Sequence, residues 1–464
     1  MNKYLKHTTR LGLFCAALMT MACGHQDLNR HYRQMRPNMM RGNWKGAVAQ
    51  MTAAKKTVYG EKDRIMYWLN MGTLQHYALQ TDASMKNFVA AEKAMQDLWT
   101  KSISAEASKF LVNETAQSYP GEDYEKVLVY LYTSLNHAIQ GNYQDAQVEA
   151  RAADRELQKM KVYYEKEGCP KGVSPDKCGT VYTQDAFMLW LVGLYREIEG
   201  MKGDGESLQD ALSLYKDAYR VYNEQYAGRF GASAPGFLAE DIVRVATALG
   251  RAGEAQSFAG MGVTGQSLKN LQNGMGEVIL FHGSGESPAK RQLKFNARMP
   301  DGYMMSMAVP QVRARRSRVA YAKVTAGNAS AMTELAEPIT QIAVKNFSKK
   351  LPAIKARAVA RAIVKYAATK GAQAVAKKAG GGLLGSVVGL VGNVASAATE
   401  AADLRSWSTL PANVGIARLW LPAGQHTLLV TYHGGNNMQI GRTDTIQITV
   451  KPGERNIVSV RSLQ

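Results

Sequence analysis

The feature that most constrains the fold of this chain is a turn that occurs twice. Gly42-Asn43-Trp44-Lys45-Gly46-Ala47 and Gly141-Asn142-Tyr143-Gln144-Asp145-Ala146 share the pattern Gly-Asn-aromatic-x-x-Ala. After the second copy, Ala146, Ala150 and Ala153 recur at helical spacing, so close packing of one helix against the next excludes a large side chain on that face. Similar spacing returns as Phe88-x-x-Ala91 and as Leu208-x-x-Ala211-x-x-x-Tyr215-x-x-Ala218. The pattern calls for helical hairpins laid side by side.

In tetratricopeptide units this turn joins helix A to helix B, and Tyr130 falls at the large apolar position of helix A. The copies are divergent and their separation is no multiple of the roughly 34-residue period, which predicts a degenerate repeat domain over residues 23–260. Tyr130, His137 and Tyr143 are the expected partner contacts of its groove. Within this region Pro120-Gly121 interrupts the chain, and Glu122, Asp123 and Glu125 then place acids where a helix dipole favours them. Leu128, Leu131 and Leu135 continue as an apolar stripe. The three carboxylates admit a catalytic acid–base reading, but nothing in the sequence shows an environment that would raise a pKa, and helix capping is the stronger reading.

Past the Gly-rich stretch from Met261 to Gly276 the period changes from helix to strand. Glu277 to His282, Gln292 to Ala297, Tyr303 to Val309 and Arg318 to Thr325 form one set of short strands. Val414 to Leu421, His426 to Tyr432, Thr443 to Val450 and Asn456 to Arg461 form another. In the second set Thr445, Gln447 and Thr449 alternate with Ile446, Ile448 and Val450 as a wet and a buried face. The fold class is therefore α+β: the helical domain, then one β-sandwich contributed by residues 276–331 and 403–464 and split by a helical insertion at 332–402. An independent C-terminal sandwich is the alternative.

The insertion is basic and rich in Ala and Gly. Lys349, Lys350, Lys355, Arg357, Arg361 and Lys365 lie among Ile354, Val359, Ile363 and Tyr366 and are expected to form a basic surface. Gly381, Gly385 and Gly389 follow within an uncharged stretch too short to span a bilayer. Two readings stay open: a helical hairpin packed on the sandwich, which the small hydrophobic area of Ala and Gly favours, or an element lying in a membrane interface. The chain's net charge of +19 belongs to this C-terminal half, because residues 23–284 carry 29 basic and 30 acidic residues. In an exported protein that excess points to anionic lipid, acidic wall polymer or an acidic protein face rather than to nucleic acid.

Export is read from the N-terminus. Lys3, Lys6 and Arg10 precede an apolar run from Leu11 to Ala22, and Cys23 follows small Ala22. Residues 1–22 therefore read as a lipoprotein signal peptide with Cys23 as the acylated residue, ordinary secretion or a retained anchor being the alternatives left by Thr20 and Met21. Cys169 and Cys178 then remain, flanking Pro170, Gly172, Pro175 and Asp176, and are expected to close a short disulfide loop; without a CxxC or a nearby histidine a metal pair is disfavoured. Elsewhere there is no HExxH, no lysine where a phosphate loop needs one and no Gly-x-Ser-x-Gly elbow, and Ser267-x-Lys269 is a fragment that occurs by chance. The chain is expected to be non-enzymatic, with no metal site and no cofactor.

Three sets of residues carry a resemblance. Tyr119-Pro120-Gly121-Glu122-Asp123-Tyr124-Glu125, then Leu351-Pro352 through Arg357-Ala358, Arg361-Ala362 and Lys365-Tyr366-Ala367, then Asp403-Leu404-Arg405-Ser406-Trp407 through Leu421-Pro422, are together similar to a family of uncharacterised bacterial envelope lipoproteins with tetratricopeptide-like helices. The resemblance implies a partner role in envelope assembly or secretion, beside small lipoproteins similar to curli-secretion-channel subunits or penicillin-binding-protein activators. It implies no catalytic residues. The expected function is thus a scaffold for envelope proteins, lipid-anchored on the periplasmic face of the outer membrane, which Gly24 after the cysteine favours over the inner membrane. The alternative is a cell-wall-polymer or anionic-lipid binding protein that uses the basic insertion with Trp407 and Trp420.

Overall fold

A computed structural model describes residues 24–104, 115, 117–166, 179–259, 263, 265–380 and 401–464. Cys23, Cys169, Cys178 and the glycines at 381, 385 and 389 lie outside the described residues, as do the acylation and disulfide expectations placed on them.

The N-terminal part is a row of helices, α1 (Gly24–Met40), α2 (Trp44–Ala54), α3 (Arg64–Tyr77), α4 (Thr81–Ser104), α5 (Asp123–Ile139), α6 (Tyr143–Lys166), α7 (Ala186–Gly200), α8 (Gly205–Val221), α9 (Gly236–Ala248), α10 (Ala252–Ala259) and α11 (Gln266–Gln272), in which each helix up to α9 packs on the next and α9 packs on both α10 and α11. The repeated turn works through both of its first residues. Gly42 and Gly141 have φ of +73° and +78°, the left-handed conformation that ends one helix, and the next residue caps the following helix. Asn43 accepts from the Gly46 N–H (3.0 Å) and Asn142 from the Asp145 N–H (3.2 Å). The small positions are as tight as their spacing implies, with Ala146, Ala150, Ala153, Ala211 and Ala218 all buried.

A second repeated device sets the hairpin spacing. A Cβ on Gly72 in α3 would lie 2.8 Å from the ring of Phe88 in α4, and one on Gly193 in α7 would lie 2.7 Å from the ring of Tyr215 in α8. An aromatic ring fills the place where the partner helix has no side chain.

The strands are β1 (Gly276–Ser284), β2 (Ala289–Arg298), β3 (Met304–Arg313), β4 (Tyr321–Ala326), β5 (Ala329–Met332), β6 (Glu334–Glu337), β7 (Asn413–Leu421), β8 (Gly424–His433), β9 (Gln439–Val450) and β10 (Arg455–Ser462), with α12 (Ile339–Gly380) between β6 and β7. They form two four-stranded sheets, β10-β1-β7-β6 and β5-β4-β8-β9, and a separate β2-β3 ribbon. Strands from both sides of α12 share each sheet, and β1 pairs in parallel with β10 and antiparallel with β7.

Two expectations are corrected. The long helix begins at Ile339, not at 332, because β5 and β6 precede it. The segments expected as strands at 292–297 and 303–309 do not join the sandwich; they pair only with each other, and α12 packs on β3.

The first sheet is a middle layer. Val278 and Leu280 of β1 face the second sheet, where they meet Val324, Leu428, Val430 and Tyr432. Ile279 and Phe281 face the helices. Successive hairpins each send a side chain to this sheet: His76 Nε2 to Ser459 Oγ (2.8 Å), Tyr143 Oη donating to the Arg455 carbonyl (2.7 Å), and Tyr222 Oη, just after α8, donating to the Ala336 carbonyl (2.7 Å). Strand β1 is consequently buried along its whole length.

Gly193→Ala is expected to cost about 1–3 kcal/mol by forcing Tyr215 aside, measured as a lowered denaturation midpoint. Ala on the exposed Gly253, where a Cβ meets nothing, is the matched control.

Candidate functional site

The junction between helices and sheet is built on charge. Glu197 of α7, Asp241 and Arg244 of α9, Glu277 of β1, Arg418 of β7 and Arg455 of β10 form one buried, electrically balanced cluster of three carboxylates and three guanidiniums. Arg244 grips Glu197 through Nε (2.8 Å) and Nη2 (2.6 Å), and Arg455 reaches Glu197 (2.7 Å) and Glu277 (2.7 Å). Arg418 pairs with both Asp241 and Glu277. Trp190 Nε1 donates to Asp241 (2.8 Å) and Tyr215 Oη to Glu197 (2.8 Å). Burial pushes Glu197 and Glu277 toward the protonated form, but the surrounding guanidiniums more than offset it and hold both below the usual carboxylate range.

A second junction has no cation. Asp185, which caps α7, and Glu337 at the end of β6 are bridged by Tyr182 and Tyr226: Tyr182 Oη donates to Asp185 and Tyr226 Oη lies 3.2 Å from Glu337. Tyr222 packs on Tyr226, and among the described residues no basic side chain pairs with either carboxylate. Burial raises both, Asp185 to about 6 and Glu337 well above the usual carboxylate range, the latter also through the charge of Asp185. The pair therefore holds a proton where ordinary carboxylates have lost theirs.

The acids at the start of α5 do more than cap it. Glu122 and Glu125 form a capping box, and each of the three side chains also ties in a distant segment. Glu122 pairs with Lys290 of β2, Asp123 with Lys350 of α12 (2.6 Å), and Glu125 accepts from the Trp407 N–H (2.7 Å) and Tyr119 Oη (2.6 Å). Arg405 lies over the Tyr119 ring and pairs with Asp63 (3.1 Å).

This settles the places of several residues singled out in the sequence. Lys350 and Arg361 are not part of a basic surface: Lys350 is held by Asp123 and Arg361 is 4% exposed. Lys349, Arg357 and Lys365 are half-buried, and Lys355 is exposed. Trp407 is fully buried, its Nε1 donating to Thr73 (2.8 Å), and the Arg455 guanidinium covers half-buried Trp420. Ser267 bonds Glu240 (2.6 Å). The three expected groove residues are not brought together. Tyr143 faces the sheet, and the His137 carbonyl accepts from the Asn142 N–H (2.9 Å) within the turn after α5.

Tyr130 alone lines an open cleft, of about 260 Å³, between α4, α5 and α6. Glu92, Met95, Gln96 and Trp99 come from α4, Lys126 and Tyr130 from α5, and Glu156 and Lys159 from α6. Lys126 and Tyr130 stand one turn apart on one face of α5, whereas Tyr132 on another face touches Trp407. The Lys126 ammonium sits 3.7 Å above the Trp99 ring, and Tyr130 Oη donates to Glu92 (2.8 Å). Burial lowers the Lys126 amine to about 8, although Asp123 and Glu156 oppose the shift. The cleft offers an aromatic wall, an amine near its neutral point and two carboxylates, all preset by the helices that carry them. The interleaving of Glu92, Trp99, Lys126 and Tyr130 at helical spacing was readable, but only tertiary packing tells which faces meet.

Among the described residues no group of three or more His, Cys, Asp or Glu side chains is placed to hold a metal ion, and no helix is long and apolar enough to cross a membrane. No protein-family profile and no curated protein matches the chain. Among solved structures, the chain is similar to the Rap conjugation gene regulator of the plasmid pLS20 in complex with the Phr* peptide, at 16% identity and a TM-score of 0.29, over 50% of this chain and 52% of that one.

Glu277→Ala would leave Arg418 and Arg455 buried with half their partners and is expected to cost about 3–5 kcal/mol in denaturant unfolding. For the Asp185–Glu337 pair the fold favours the protonated form. Its contribution is complete below about pH 4 and declines as pH rises through about 6. His76 and His282, pushed down by burial to about 4 and 3, give the opposite slope, so the pair is isolated by difference. The stability of Glu337→Gln relative to the parent should rise between pH 5 and pH 8; a difference that stays flat would refute the shared proton.

Proposed function

We propose that this chain is a non-enzymatic scaffold of the bacterial envelope, acylated at Cys23 and held on the periplasmic face of the outer membrane, which binds an envelope protein through the cleft between α4, α5 and α6. The observation that carries this reading is the division of labour across the helices. Their sheet-facing side is filled by the chain's own β1, β6 and β10, so the side of the repeats that remains open among the described residues is the one holding Trp99, Lys126 and Tyr130. Aromatic side chains anchored by fixed polar groups are the composition of protein-binding hot spots. The most perturbed carboxylates, by contrast, are spent in internal pairs away from solvent. The competing reading, a wall-polymer or lipid binder working through the basic insertion, is weakened because Lys350, Arg361 and Trp407 face inward.

A photoreactive residue at exposed Gln96, in cells producing the full chain, tests the cleft. One or two envelope proteins should crosslink, and Trp99→Ala or Tyr130→Ala should reduce the adduct at least severalfold. Crosslinking to wall fragments from Lys355, with none to protein from Gln96, would overturn the scaffold reading. Cys23→Ser should separately abolish palmitate labelling and release the chain from membranes; unchanged labelling would refute acylation at that residue.

A further inference from the structure

We propose that the β2-β3 ribbon is a membrane-contact element that lays its apolar face on an anionic phospholipid leaflet and so fixes the orientation of the anchored protein. In the ribbon Leu293 lies opposite Val309, Phe295 opposite Met307 and Ala297 opposite Met305. Side chains directly opposite one another share a face, so the outer part of one side of the ribbon is apolar, and Arg291, Gln311 and Arg313 continue that side toward its root. Among the described residues its β2 half stands open, with Leu293 38% exposed and Phe295 48%, whereas Val309 opposite Leu293 is buried. α12 packs on β3 and leaves β2 as the outer strand.

The charge around that face has one sign. Arg291 and Arg313 are exposed on that face at its root, and Lys294 and Arg298 are exposed on the opposite face of β2. Among the described residues no carboxylate pairs with any of these four. The nearby acids are already engaged, Asp301 in the hairpin turn by Lys370 and Tyr366, and Glu286 before β2 by Arg36, Arg315 and Tyr32. An apolar strip that ends in two exposed cations, Arg291 and Arg313, on the same face matches the boundary between acyl chains and anionic headgroups.

Placement supplies the second argument, which rests on the acylated N-terminus proposed above. Tyr32 of α1 bonds Glu286, and the Arg315 guanidinium lies 5.3 Å from the Tyr32 ring, so the middle of α1 is fastened to the root of the ribbon. At about 1.5 Å per residue the helix start at Gly24 is then roughly 12 Å from that root, whereas the other end of α1 is tied away to Arg442 by the Met40 carbonyl (2.7 Å). Lipid anchor and ribbon would meet one surface at the same end of the molecule.

The test uses the full chain carrying Cys23→Ser, so that no acyl anchor forms, in sedimentation with phosphatidylcholine vesicles and with vesicles that also contain phosphatidylglycerol. The parent should bind the anionic vesicles more, with the excess lost at high salt. Each cation near such a surface is worth about a fivefold change in partitioning. The double variant Arg291→Glu, Arg313→Glu should therefore lower anionic binding at least about tenfold. Leu293→Ser with Phe295→Ser should lower it severalfold while keeping the salt dependence. Lys355→Glu on α12 should bind as the parent does, and thermal melts should match throughout. Equal binding to both vesicle types, or ribbon variants that bind like the parent, would overturn the proposal. Such a failure would leave the acylation and cleft experiments standing, since neither uses the ribbon.

Discussion

The three carboxylates that open α5 hold this molecule in one piece. Glu122, Asp123 and Glu125 lie within four consecutive positions, yet they engage β2 through Lys290, α12 through Lys350 and the approach to β7 through the Trp407 backbone. A helix N-terminus presents positive potential and unpaired N–H groups, so acids are favoured there before any partner arrives. Having collected them for that local reason, the chain uses their remaining oxygens to dock segments that are remote in sequence. The motifs around Tyr119–Glu125 and Asp403–Trp407 meet at this point, and Lys350, which adjoins the Leu351-Pro352 motif, joins them there.

The helix–sheet junction adds a second kind of specificity. Hydrophobic faces alone would let the first sheet slide on the helices, because Ile279, Phe281 and Ile416 present smooth surface. The cluster of Glu197, Asp241, Arg244, Glu277, Arg418 and Arg455 tolerates no such slip, since a small displacement would leave a buried charge without its partner. The Asp185–Glu337 pair marks the contrasting case, where two acids come together with only tyrosine hydroxyls between them.

What the sequence made legible was what local chemistry decides. The Gly-Asn turn ends one helix and caps the next through its own side chain, so it could be read without knowing the fold. The alternation from Thr445 to Val450 likewise follows from a strand with one wet face, and the structure exposes Thr445, Gln447 and Thr449 as that pattern implies. What escaped was set by contacts between distant elements. Lys350 and Arg361 look like surface cations within an Ala-rich helix, and only Asp123 and the packing of α12 turn them inward. Tyr143 sits at a groove position of the repeat, but the groove side it faces is taken by β10. Arg244 and Glu277 each break an apolar run, and that interruption was the one signal of a buried charge cluster.

The parallel pairing of β1 with β10 has a consequence for how the chain comes into being. The strand that completes the sheet against the helices, β10, comes after every other described element in chain order. A chain delivered from its N-terminus forms its hairpins early from neighbouring residues, but their inner side stays incompletely covered until β10 arrives. Over that interval His76, Tyr143 and Glu197 have no Ser459 or Arg455 to meet, and the exposed helices depend on whatever escorts the polypeptide for protection from aggregation.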